Sequence, residues 1–136
     1  MMSVNIKLLM ILFIAITQLN CKQKEGSDNQ NGSVEVVTPT DFKEKSKDQL
    51  IIDIRTPQEF RQGYIEGAVN INYFDRDFLE KISQYDKSKP IFVYCRSGNR
   101  TSSASRKIAA LGFEKVYDLQ GGILNWMRNN NQIVKK

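Results

Sequence analysis

Ile91-Phe92-Val93-Tyr94-Cys95-Arg96-Ser97-Gly98-Asn99-Arg100-Thr101 is the stretch on which the fold turns. Its first four residues are apolar without polar alternation, the pattern of a strand buried on both faces, as in a parallel sheet covered by helices. Beyond Thr101, Ala104, Ile108 and Leu111 recur on one helical face and Gly112 supplies a stop, so a helix is expected from about Arg100 to Leu111. Cys95 thus falls outside the carboxyl end of a strand, where open α/β sheets bind their ligands. Unpaired N–H groups at the helix start, its dipole, and the charges of Arg96 and Arg100 favour a thiolate or a bound anion there. Cys95 is then expected to be nucleophilic without a histidine base. The bland readings are a cysteine serving as a small buried hydrophobe and two arginines serving as solvated surface charges.

Outward from this stretch, short β-branched or apolar runs alternate with helix-start signals. Strands are expected at Val34–Val37, Leu50–Ile54, Ala68–Ile71, Ile91–Tyr94 and Val116–Leu119. Thr38-Pro39-Thr40-Asp41 opens one helix and Thr56-Pro57-Gln58-Glu59 another, each with proline in its first turn, and Asp75 to Ser83 forms a third. A last helix follows Gly121-Gly122 and carries Ile123 and Trp126, the latter expected as a core anchor. The sum is an α/β domain with a central, mostly parallel five-stranded sheet.

Composition narrows the chemistry. The 136 residues, 40% hydrophobic and 26% charged, suit one globular domain, and a net charge of +5 scattered among acids lacks the basic stripe that nucleic acid requires. The absence of histidine removes Ser-His-Asp and Cys-His catalysis, and two separated cysteines cannot build a metal cluster, so neither metal nor cofactor is expected.

Lys7 precedes an apolar run from Leu8 to Ile16, too short to span a bilayer but suited to the core of an export signal. The run ends near Cys21, after which Lys22 to Ser33 is polar. A cysteine at that junction resembles a bacterial lipoprotein signal, although Gln18 and Asn20 replace the usual leucine and small residue. The reading is residues 1–20 as signal peptide, Cys21 as the lipidation site, 21–33 as a flexible tether and 34–136 as the domain, exported and held at the cell envelope or periplasmic membrane surface. An uncleaved anchor and an ordinary signal are the alternatives.

The loop Cys95-Arg96-Ser97-Gly98-Asn99-Arg100 resembles the active-site loop of rhodanese-like sulfurtransferases. Asp53-Ile54-Arg55-Thr56-Pro57-Gln58-Glu59-Phe60 with Gly63-Tyr64-Ile65-Glu66-Gly67-Ala68-Val69-Asn70-Ile71 is similar to that family's first motif, and Gly121-Gly122-Ile123-Leu124-Asn125-Trp126 to its last. Tyr64 departs from the histidine often found there, in a structural turn. The resemblance covers Val34 to the C-terminus and implies a three-layer rhodanese-like domain.

It also implies a sulfurtransferase. Catalytic Cys95 would accept sulfur as a persulfide from a small anionic donor such as thiosulfate and pass it to a thiol or cyanide-like acceptor, with no cofactor. Arg96, Ser97, Gly98, Asn99 and Arg100 would bind substrate, with Gly98 allowing a positive-φ turn, Arg96 facing the anion and Arg100 bracing the loop. Asp53, Arg55 and Glu59 are expected as a supporting ion-pair network, Gly121 and Gly122 as packing residues, and the protein as a monomer. Cysteine phosphatases of the same fold need arginine at the position that Thr101 occupies. A non-catalytic or sulfur-sensing binding module is the remaining alternative.

Overall fold

Ile91, Phe92, Val93 and Tyr94 are completely buried because the strand they form has a neighbour on each side and helices above and below. The structure, a computed structural model, describes residues 32–135; the apolar run, Cys21 and the tether up to Asn31 lie outside the described residues. In chain order the elements are β1 (Ser33–Val37), α1 (Pro39–Lys45), β2 (Leu50–Asp53), α2 (Pro57–Arg61), β3 (Val69–Asn70), α3 (Phe78–Ser83), β4 (Ile91–Tyr94), α4 (Thr101–Ala110), β5 (Lys115–Leu119) and α5 (Gly122–Arg128). The five strands form one sheet in the order β1-β5-β4-β2-β3, and every pairing within it is parallel.

Alternation along β4 divides the core into two layers. Ile91, Val93 and Cys95 pack with Ile82, Ala104 and Ile108 under α3 and α4. Phe92 and Tyr94 face the opposite side, with Phe42 of α1 and Ile123 and Trp126 of α5. Phe42 meets the rings of Phe92, Tyr94 and Trp126 edge-on at centroid distances of 5.3, 6.5 and 6.1 Å, a geometry that suits the aromatic quadrupoles. The indole N–H of Trp126 donates to the carbonyl of Gln132 at 2.8 Å, so the anchor expected from sequence is buried with its polar group satisfied.

Several boundaries differ from expectation. Ser33 belongs to β1 rather than to the tether, and Gly32 N–H already bonds the Ala109 carbonyl. The third strand contracts to Val69–Asn70, a two-residue edge, and β2 ends at Asp53, although Ile54 N–H still donates to the Tyr94 carbonyl. The third helix starts at Phe78 rather than Asp75. Asn72 accepts from Phe74 N–H and donates to the Asp75 carboxylate, so this side chain holds a turn where helix was expected.

The topology places the site. From β2 the chain continues outward to β3, and from β4 it runs the other way to β5. The loops leaving the carboxyl ends of β2 and β4 therefore diverge and leave a crevice between Arg55 and Cys95.

Candidate active site

Cys95 directly follows β4 with 1% of its surface exposed, so its buried character and its place at the loop are both facts of the structure. The Gly98 amide donates to Sγ at 3.1 Å, and Thr101 Oγ1 lies 3.8 Å from it. That amide reaches the sulfur because Gly98 has φ +92°, a conformation that a Cβ disfavours. Thr101, the first residue of α4, donates its hydroxyl to the Gly98 carbonyl at 3.1 Å and so closes the turn.

The other side of the loop is held by α5. Ile123 N–H donates to the Cys95 carbonyl at 2.9 Å and Leu124 N–H to the Arg96 carbonyl at 3.1 Å. In trans peptides the Arg96 and Ser97 N–H groups consequently point away from α5. So close an approach requires Gly122: at φ +59°, a Cβ there would lie 2.5 Å from both carbonyl oxygens.

Arg100 turns from the sulfur to Glu59, its Nη1 and Nη2 donating to the two carboxylate oxygens at 2.8 and 2.7 Å. Glu59 also accepts from the Thr56 amide at 3.0 Å, and the Glu59 amide donates to Thr56 Oγ1, a capping box that starts α2. One carboxylate thus starts a helix and braces the cysteine loop. The Arg100 guanidinium holds it at about 2, well below the usual carboxylate range, with burial opposing and Thr56 assisting.

Asp53 and Arg55 form a separate buried pair, so the single network expected from sequence is in fact two. Arg55 Nη2 donates to Asp53 Oδ2 at 2.6 Å and to the Gly63 carbonyl at 2.7 Å, tying the end of β2 to the turn after α2. Asn70 donates to the carbonyls of Asp53 and Arg55 from β3. Tyr64 stacks on Phe60 at 4.0 Å and pairs its backbone with Val134, placing it in a structural turn.

Arg96 is exposed and makes no ion pair among the described residues; it lines a shallow pocket with Arg55, Glu59, Leu124 and Met127. Ser97 and Asn99 are exposed on the opposite flank of the loop, lining a groove of about 670 Å³ with Ser102, Arg106 and Asp118. Phe74, 67% exposed, stands beside Arg100 with the guanidinium 5.9 Å from its ring, while Tyr73 packs edge-on against Phe78. Among the described residues no cluster of His, Cys, Asp or Glu could hold a metal ion.

Sequence reasoning missed Thr101 beside the sulfur and the buried Asp118, and it read Gly122 as a packing residue without the loop carbonyls that it meets. An acidic residue inside the apolar run Val116–Leu119 was the available signal for Asp118.

A strand-to-helix cysteine loop on a five-stranded parallel sheet defines a class of protein, and comparison supplies the family. The chain belongs to the rhodanese-like domain family, whose model matches residues 38–129. It is 39% identical over 88 residues to thiosulfate sulfurtransferase 16, chloroplastic, of Arabidopsis thaliana, covering 57% of this chain and 73% of that protein. It is 38% identical over 84 residues to the tRNA uridine(34) hydroxylase of Pelagibacter ubique, covering 61% of this chain but 28% of that longer protein. Among solved structures, a rhodanese-related protein from Thermoplasma volcanium superposes with a TM-score of 0.68 at 27% identity, over 75% of this chain and 99% of that one.

Two outcomes follow from this geometry. Gly122→Ala should cost about 2 kcal/mol or more, because the new Cβ displaces the Cys95 and Arg96 carbonyls, whereas Gly67→Ala, at φ +81° with open space around it, should cost about 1 kcal/mol; urea unfolding midpoints compare them. The depressed Glu59 carboxyl contributes stability that is present above its unfolded value of 4.5 and is lost as pH falls towards 2. The stability gap between wild type and Glu59→Gln should therefore be at most about 3 kcal/mol at pH 6 and shrink steadily below pH 4.5, as read by urea titrations at each pH.

Proposed function

We propose that the protein is a sulfurtransferase that moves sulfane sulfur from a small anionic donor to a thiophilic acceptor through a persulfide on Cys95. The observation that carries this reading is Sγ at the floor of a strand-to-helix loop, with the Gly98 amide 3.1 Å away and Arg96 exposed at the rim. The Cys95 thiolate attacks the outer sulfur of thiosulfate, the S–S bond of the donor breaks, and sulfite departs with its electron pair. The persulfide anion carries the transferred atom. A nucleophile such as cyanide then attacks the outer sulfur, thiocyanate leaves and the thiolate returns.

Arg96 meets the donor anion, while Ser97, Gly98 and Asn99 supply further donors at the loop. Arg100 contributes through its brace on Glu59. A relative named thiosulfate sulfurtransferase supports the donor chemistry. One observation favours the second reading, a sulfur-sensing or binding module: Cys95 is 1% exposed, which suits a sulfur read out or handed on by one docked partner.

The reading places the domain outside the cytoplasm, at the cell envelope, with Cys21 acylated. Its support is the apolar run Leu8–Ile16 followed by cysteine and a polar segment.

The protein incubated with thiosulfate should gain the mass of one sulfur, lose it on addition of cyanide, and show no gain as Cys95→Ser; retention of the gain by that variant would refute the mechanism. Cys21→Ala should shift the expressed protein from the detergent phase to the aqueous phase on partitioning, and an unchanged distribution would refute acylation at Cys21.

A further inference from the structure

Asp118 sits on β5 in register with Val93, so its side chain shares a sheet face with Val93 and, two residues on, Cys95. It is 5% exposed, and its Oδ1 has no hydrogen-bond partner among the described residues. Across from it on α4, Ser105 is 1% exposed, and its hydroxyl is near enough to act on the Asp118 carboxyl but makes no well-formed hydrogen bond among the described residues. Leaving such groups unsatisfied is costly, and buried polar groups of this kind recur where chemistry uses them. Thr101, one helical turn before Ser105, also faces the Asp118 carboxyl.

Thr101 has one hydroxyl proton and three claimants for it. The Gly98 carbonyl lies at 3.1 Å and Cys95 Sγ at 3.8 Å, and the same hydroxyl acts on the Asp118 carboxyl. The surroundings of Asp118 are otherwise nearly free of charge. β1 offers Val34 and Val36, the end of β5 offers Leu119, Gln120 and Gly121, and α4 adds Ser102, Thr101, Ser105 and one charged side chain, Arg106, at the groove. The loop that leaves β4 brings Cys95 to the same face of the sheet.

We propose that Asp118 is a positioning residue acting through Thr101: its proton occupancy decides whether the Thr101 hydroxyl serves the sulfur of Cys95. When the carboxyl is protonated its O–H donates to Thr101 or Ser105, and the Thr101 proton is free for a sulfur anion. When it is ionised the carboxylate competes for that proton, and its charge also disfavours a second anion nearby. Both effects have the same sign, so ionised Asp118 makes Cys95 less reactive as a nucleophile. The proton that Asp118 gains or loses is exchanged with water through the adjoining groove.

Burial lifts the Asp118 carboxyl to about 6, with Thr101 and Ser105 pulling the other way, which brings the exchange close to neutral pH. The extension to a persulfide anion rests on the sulfurtransferase reading, but the coupling to the free thiol does not.

The test is the rate of iodoacetamide alkylation at Cys95, measured on the full chain by mass of the Cys95 peptide between pH 5 and 9, for wild type, Asp118→Asn, Thr101→Val and the double variant. Asp118→Asn should react about three- to tenfold faster than wild type at pH 7 and converge with it at pH 5, where the wild-type carboxyl is protonated. On the Thr101→Val background that gain should fall by at least about half. Superimposable profiles, a gain at pH 5 equal to that at pH 7, or an equal gain without the Thr101 hydroxyl would each overturn the proposal. Asp118→Ser replaces Asn if circular dichroism shows that Asp118→Asn does not fold. Alkylation needs no sulfur donor, so failure here is separate from failure of the persulfide reaction.

Discussion

The carbonyls of Cys95 and Arg96 lie beyond the last sheet pairing of a completely buried strand, and a carbonyl cut off from water without a donor costs about as much as a lost hydrogen bond. The first amides of α5 are the donors that meet this need, since a helix start has free N–H groups of its own. For the two to meet, backbone must touch backbone, and Gly122 is the residue that lets them. The orientation of the loop, the direction of its amides and the seat of the sulfur all follow from that contact. The final helix, remote in sequence from the cysteine, is thus part of the cysteine's support.

Around this contact the acids have divided roles. Asp53 is spent within the framework, buried against Arg55 and unable to leave without stranding a guanidinium. Glu59 joins a helix start to the loop brace, so the β2 and β4 sides of the crevice are linked by one carboxylate. Among the described residues Asp118 is the acid with a buried oxygen left unpaired, beside Thr101, whose hydroxyl approaches the sulfur. The site therefore has its ion pairs on one flank and a buried, unpaired carboxyl oxygen on the other.

Much of this was legible in the sequence because the signals were local. The apolar run Ile91–Tyr94, the turn residues after Cys95 and the periodicity of Ala104 and Ile108 read directly as strand, loop and helix. Gly98 required a positive φ and has one. What stayed hidden was pairwise across the chain. Glu59 and Arg100 are 41 residues apart, and a capping-box glutamate explains itself locally without naming its second partner. Gly121 and Gly122 read as packing residues, since nothing in their own segment reveals that two carbonyls from β4 will arrive there. Asn72 overrode the helical pattern from Asp75 because a side-chain turn competed locally and won.

With only 1% of Cys95 exposed, girth becomes a criterion of selection. A reagent must present its reactive atom at the end of a slender stem, as a terminal sulfur does, while a broad electrophile is halted at the rim. The sulfur is thereby shielded from bulky disulfides and oxidants without any chemical deactivation. The loop is thus a sieve as much as a cradle.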